Sequence, residues 1–154
     1  MINKSINKLP IMVQILSDPL KLYALLEKSI LTFLMISVVF FVMRKAEITT
    51  SPLIGGIIAG TVGAIIVFAK KMYYDQALSK LTLASDIDQL TIESLLQLIN
   101  YKKTEDGTFI PNKKLFSAFF RCKSESISII RKDNSTLLTG PYDKIKSIYD
   151  IIEH

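Results

Sequence analysis

The sequence has no tryptophan, one cysteine and one histidine, and only 21% of its residues are charged. A single thiol, Cys122, excludes an internal disulfide framework, and with His154 as the sole imidazole a mixed Cys/His zinc centre is excluded too. Glycine is scarce, six in 154 residues, and four of the six fall between residues 55 and 63, inside an apolar run. No glycine-rich phosphate loop is therefore available. Arginine is scarcer still, with only Arg121 and Arg131 in the second half, so the clustered basic face of a nucleic-acid binder is missing. The expectation is no nucleic-acid partner, no small-molecule substrate and no cofactor.

Apolar residues are abundant, at 49% of the chain, which excludes a disordered or collagen-like polymer. They concentrate in two runs without an ionisable group, Ser29 to Met43 and Leu53 to Ala69. Crossing about 30 Å of hydrocarbon takes roughly 20 helical residues. The first run reaches that length when the helix starts at Asp18-Pro19, where Asp is suited to cap and Pro to open it. Ser51-Pro52 repeats the signal for the second helix, and Arg44 to Ser51 is a connector of the length a tight helical hairpin needs. A soluble helix keeps a polar stripe, and neither run has one. A bundle core fits less well for that reason, a buried strand fits less well because the first run continues the Leu-rich stretch before it, and the first run starts too late for a cleaved signal peptide.

The fold expected is an integral membrane α-helical hairpin of two spans, about 20–43 and 52–70, followed by a small cytoplasmic α+β domain. Three regions result: an interfacial N-terminal segment at 1–17, the hairpin with a helical extension at 18–84, and the α+β domain at 85–154. The net charge of +5 sets the orientation. Lys4, Lys8, Lys21, Lys28, Lys70, Lys71 and Lys80 lie on the side that carries both termini, against Arg44 and Lys45 in the connector. Cytoplasmic loops hold the excess of Lys and Arg, which places both termini in the cytoplasm. Lys21, Lys28, Lys70 and Lys71, with Tyr73 and Tyr74, are the residues expected at the membrane interface. The richness in Lys, Ile and Asn fits a low-GC bacterial source, hence an inner membrane.

The second run carries two tracks of small residues, Gly56, Gly60 and Ala64 beside Gly55, Ala59 and Gly63. In lipid, helix association rests on close approach and van der Waals contact, so a flat face of this kind packs against something. Three occupants fit it: the first span with its bulky Phe33, Met35 and Phe40, a second copy of the chain, or a different membrane subunit. No ionisable group lies in either run, which removes the chemistry of a proton or ion path.

The apolar and lysine-dotted residues Met1 to Ser17 suit a segment lying among headgroups, or a short helix docked on the α+β domain. After Ala69 the helix is expected to continue through Leu78. A new helix is expected to begin at Ser85-Asp86. Hairpins follow around Asp106-Gly107 and Asp133-Asn134, with a helix from Asn112 to Phe120 between them and another from Tyr142 to Glu153. Asp86, Asp88 and Glu93 read as helix-dipole acids rather than a catalytic pair. Cys122, between Arg121 and Lys123, has charged neighbours but no histidine to activate it, and reads as a structural thiol.

No enzyme is expected. In layout the hairpin resembles the small two-span subunits of type IV secretion systems, and the function expected is a small scaffolding subunit of a multiprotein inner-membrane complex, such as a secretion or conjugation machine. An exclusion or immunity protein blocking an incoming element or toxin is the alternative, and a membrane-bound enzyme a more distant one.

Overall fold

The computed structural model describes residues 6–50, 52–84, 89–132 and 135–153. Two long apolar helices lead into a small α+β region with two sheets. Helix α2 runs from Leu20 to Lys45 and α3 from Leu53 to Lys70. At 1.5 Å per residue the 26 residues of α2 reach about 39 Å. Arg44 and Lys45 in its last turn complement the helix dipole. The pair is antiparallel, because Gly56 meets Phe40, Gly60 meets Ile36, and Phe68 lies by Lys28. Both helices are long and apolar enough to cross a membrane, and no part of their most apolar windows is buried in the fold. They are not the core of a bundle: Met35 is 70% exposed and Ile54 72%.

Helix α3 does not extend as far as the sequence suggests. It widens into a π turn at Lys71–Asp75 and stops, and Leu78–Ala84 is strand β2. Leu81 and Leu83 are buried while Lys80 and Thr82 are exposed, the two-residue period of a strand rather than the 3.6 of a helix. The region expected at 18–84 as hairpin thus ends near Gln76, and β2 belongs to the α+β region.

That region is built on an antiparallel sheet ordered β1-β2-β6-β5, from Ile6–Lys8, Leu78–Ala84, Ser135–Pro141 and Ser128–Lys132. Leu81 stands opposite Leu138 in the β2–β6 ladder. A second sheet pairs β3, Tyr101–Lys103, with β4, Phe109–Pro111, and Gly107 takes the left-handed φ of +77° in its turn. Helices α4, Gln89–Leu98, and α5, Tyr142–Glu153, complete the core. It consists of Leu81, Leu83, Ile92, Leu96, Tyr101, Phe109, Ile127, Leu138, Ile145 and Ile148. A Cβ at Gly140 would lie 2.7 Å from Ile127 Cγ1, so this strand crossing needs glycine.

Three local expectations need correction. The N-terminal segment is folded into the α+β region: β1 pairs with β2, and α1, Ile11–Ser17, buries Gln14. Residues 112–120 form a loop instead of a helix, because its amides are taken by the side chains of Glu125, Glu27 and Ser117. Asp18 does not cap α2; its carboxylate reaches Ser124. The Ser85-Asp86 helix start and the Asp133-Asn134 turn fall outside the described residues.

Candidate functional site

A second buried cluster lies where the hairpin meets the α+β region. Ala24, Met72, Tyr73, Phe116 and Cys122 form it, with Ile15, Leu20, Leu25 and Leu115 packed around. Polar side chains run through it. Gln14, Asp18, Lys21, Ser124 and Glu125 are all buried, Lys21 and Glu125 completely. Burying such groups costs several kcal/mol each unless hydrogen bonds are supplied, and here most of them are.

Gln14 stitches three elements together. Its Nε2 donates to Leu9 O at 2.8 Å and to Tyr73 O at 3.2 Å in the π turn, and its Oε1 accepts from Leu78 N at 3.1 Å. Lys21, in the first turn of α2, donates from Nζ to that same Oε1 and to Gln76 O, both at 3.2 Å. Its ammonium also faces the rings of Tyr73 at 5.0 Å and Phe116 at 4.8 Å. The widened turn is what presents the Tyr73 carbonyl to Gln14; π turns of this kind recur where a helix carries a special contact.

Two carboxylates hold the loop between Asn112 and Cys122. Glu125 accepts Leu115 N at 3.0 Å on Oε2, and Phe116 N at 3.4 Å and Cys122 N at 3.3 Å on Oε1. Tyr101 donates its hydroxyl to Glu125 O at 3.1 Å, and burial raises its pKa, with Asp143 and Glu125 adding to the effect. Glu27 on α2 accepts Ala118 N at 2.9 Å and the Ser117 hydroxyl. Asp18 Oδ2 accepts Ser124 N at 2.8 Å and Ser124 Oγ at 2.7 Å. Asp18 Oδ1 and the Tyr73 hydroxyl are buried without a partner among the described residues. Burial, then the Asp18 and Glu125 carboxylates, pushes the Cys122 thiol up to about 12, the opposite of an activated nucleophile.

The glycine tracks separate. A Cβ on Gly56 would lie 2.6 Å from Phe40 Cζ, and one on Gly60 3.3 Å from Ile36 Cδ1, so this track, with half-buried Ala64, faces α2. Phe40 fills it as expected, whereas Phe33 and Met35 point away and Ile36 takes their place. Among the described residues nothing lies within 4 Å of a Cβ at Gly55 or Gly63, and Ala59 between them is exposed, so the other track faces outward.

Of the six residues expected at headgroups, Lys70 and Lys71 are exposed and Tyr74 is 60% exposed, its ring 4.1 Å from Lys8 Nζ. Lys28 is half-buried, donating to Leu115 O at 3.4 Å. Lys21 and Tyr73 are corrections: both are inside the junction, because the first turn of α2 is covered by α1 and the 112–122 loop. Nothing in the sequence assigned a role to Gln14, Ser117 or Glu125. The only trace was their placement as polar residues next to apolar positions that needed covering. Asp86 and Asp88 fall outside the described residues, and Glu93 pairs with Lys103 at 2.8 Å.

Directional bonds join the hairpin to the α+β region, while one small-residue face of α3 stays open among the described residues. Compared with known protein families, curated proteins and solved structures, the chain matches none.

Proposed function

We propose that the chain is an integral inner-membrane protein whose α2–α3 hairpin spans the bilayer twice, with the α+β region and both termini in the cytoplasm. It acts without catalysing a reaction, as a small structural subunit packed against other membrane proteins, of the kind a secretion or conjugation machine contains. The observation that carries the partner is the outward track Gly55, Ala59 and Gly63, which the hairpin's own packing leaves unused. A glycine in a helix costs up to about 1 kcal/mol against alanine, and close helix approach is what offsets it in lipid. Exposed Lys70 and Lys71 and half-buried Lys28 support the orientation, although Lys21 no longer contributes to it. Helix α1 supports contact with lipid, since Ile11, Met12, Val13 and Leu16 are all exposed.

The test is extraction and co-purification. The protein is expected to sediment with membranes after alkaline washing and to carry distinct subunits through mild detergent. Gly63→Ile is expected to release those subunits and leave the fold intact. Recovery in the soluble fraction overturns the membrane placement, and retention of every subunit by Gly63→Ile overturns the packing face.

A further inference from the structure

The loop between Asn112 and Cys122 presents an apolar tip on a rigid frame. Phe119 is 73% exposed and Phe120 40%, although each has its backbone amide fixed on Ser117 Oγ, at 3.0 and 2.7 Å. Lys114 Nζ closes the bow by donating to Ala118 O at 2.8 Å and Phe119 O at 3.0 Å. The rings are therefore held outward by the frame.

The frame itself is docked on α2. Glu27 holds Ser117 and Ala118, Lys28 reaches Leu115 O, and the Tyr23 and Phe120 rings lie 6.4 Å apart. Glu27 precedes the first uncharged run, at Ser29, by two residues, about 3 Å along the axis. The loop thus sits beside the level at which the hairpin enters hydrocarbon. Exposed Lys113, Lys114, Arg121 and Lys123 flank the two phenylalanines along the chain, and no carboxylate occurs between Asn112 and Ser124 in the sequence. Aromatic side chains flanked by cations at the point of entry match an anionic lipid surface: rings seat at the headgroup boundary and cations meet the negative leaflet.

We infer that residues 117–121 form a third membrane contact, with Phe119 and Phe120 seated in the headgroup region of the leaflet the hairpin enters, and with acidic phospholipid as the partner. This rests on the proposed membrane placement of the hairpin. It assigns the loop a job beyond connecting β4 to β5: it ties the α+β region down on the bilayer and restricts its tilt.

The absence of tryptophan makes the test clean. The full chain carrying Phe119→Trp, and separately Val38→Trp in the middle of α2, is reconstituted into phosphatidylcholine–phosphatidylglycerol vesicles with brominated acyl chains. The Phe119→Trp indole is expected to lose most of its emission when bromine is near the headgroup end, and several-fold less when it is near the methyl end. The Val38→Trp indole is expected to show the reverse. Replacing phosphatidylglycerol with neutral lipid is expected to weaken quenching only at the loop. A Val38→Trp signal that is quenched beside a water-exposed, unquenched Phe119→Trp signal overturns the loop contact, leaving the rings for a protein partner. Quenching at neither position overturns the membrane placement and the loop contact together. Should Phe119→Trp misfold, Phe120→Trp reads the same boundary.

Discussion

The two interiors of this molecule are built in opposite ways. The core of the α+β region is largely apolar; among the described residues its buried polar groups are the Tyr101 hydroxyl and the short side chains of Ser79 and Thr136. The junction beneath the hairpin has five buried apolar residues and, among the described residues, six buried polar ones: Gln14, Asp18, Lys21, Ser117, Ser124 and Glu125. Apolar burial is strong but non-directional, and a sheet with two helices needs little more. With the hairpin in lipid, as proposed, the problem differs, because its exit angle from the α+β region would not be set by hydrophobic contact with a surrounding that is equally apolar. Hydrogen bonds from Gln14, Lys21 and Glu27 reach three separate elements and fix that angle. The expectation is that stability is concentrated in the first interior and direction in the second.

The sharpest way to break this contrast is in the apolar core. Phe109 is 1% exposed, and Phe109→Ala is expected to cost about 3–5 kcal/mol through lost burial and the cavity left behind. The readout is the denaturant midpoint of the detergent-solubilised full chain. A loss under about 1 kcal/mol would mean the core collapses freely around the gap. The junction should respond less in stability and more in local order. Glu125→Gln keeps the volume but turns an NH2 toward the Leu115 amide, at an expected cost of about 2 kcal/mol. Its distinguishing sign is faster tryptic cleavage at Lys113, Lys114 and Arg121, with the rest of the domain still protected; uniform cleavage would show that the loop is not a separable unit.

An effect confined to alkaline solution follows from the thiol. Folding raises the Cys122 pKa to about 12, above the unfolded value of about 8.5. The neutral thiol is the form the fold accommodates, so its contribution is complete below about pH 8.5 and is lost as pH climbs from there toward the folded value. Stability should decline over that alkaline window, and Cys122→Ala should flatten the decline. An identical alkaline slope in both proteins would assign the decline to other groups, with Tyr101, also raised, the first to examine.

How far the sequence revealed this architecture differs between the two interiors for the same reason. The two apolar helices, the turn at Asp106-Gly107 and the last helix follow from periodicity and turn chemistry, which are local. Strand β2 was locally legible as well, in the alternation of Leu81 and Leu83 with Lys80 and Thr82, but the helix feeding into it masked the change of period. The junction was not legible. Asp18 lies 106 residues from Ser124 and Glu27 lies 90 from Ser117, and no propensity relates residues that far apart. Lys21 shows the cost of reading locally: a lysine at the start of an apolar helix matches a headgroup ligand in type, yet tertiary contacts enclose it. The two glycine tracks were visible as a pair, but only the positions of Phe40 and Ile36 show which one faces inward.

Lys21 also supplies the smallest effect and the most discriminating one. Lys21→Met removes a cation from a fully buried site while keeping an unbranched side chain of similar length. The hydrogen bonds to Gln14 Oε1 and Gln76 O are lost, but Leu78 N still serves Gln14, and desolvation of the ammonium is relieved. Replacing a buried charge by a well-fitted apolar group is often neutral, so a change within about 1 kcal/mol is expected. If the junction specifies direction more than it stabilises, the variant should unfold at nearly the same denaturant concentration yet hold the α+β region less firmly against the hairpin. Spin labels on exposed positions of α3 and α5 would then give a broader distance distribution. A loss as large as that of Phe109→Ala, with the distribution unchanged, would reverse the assignment and make the polar junction the principal source of stability.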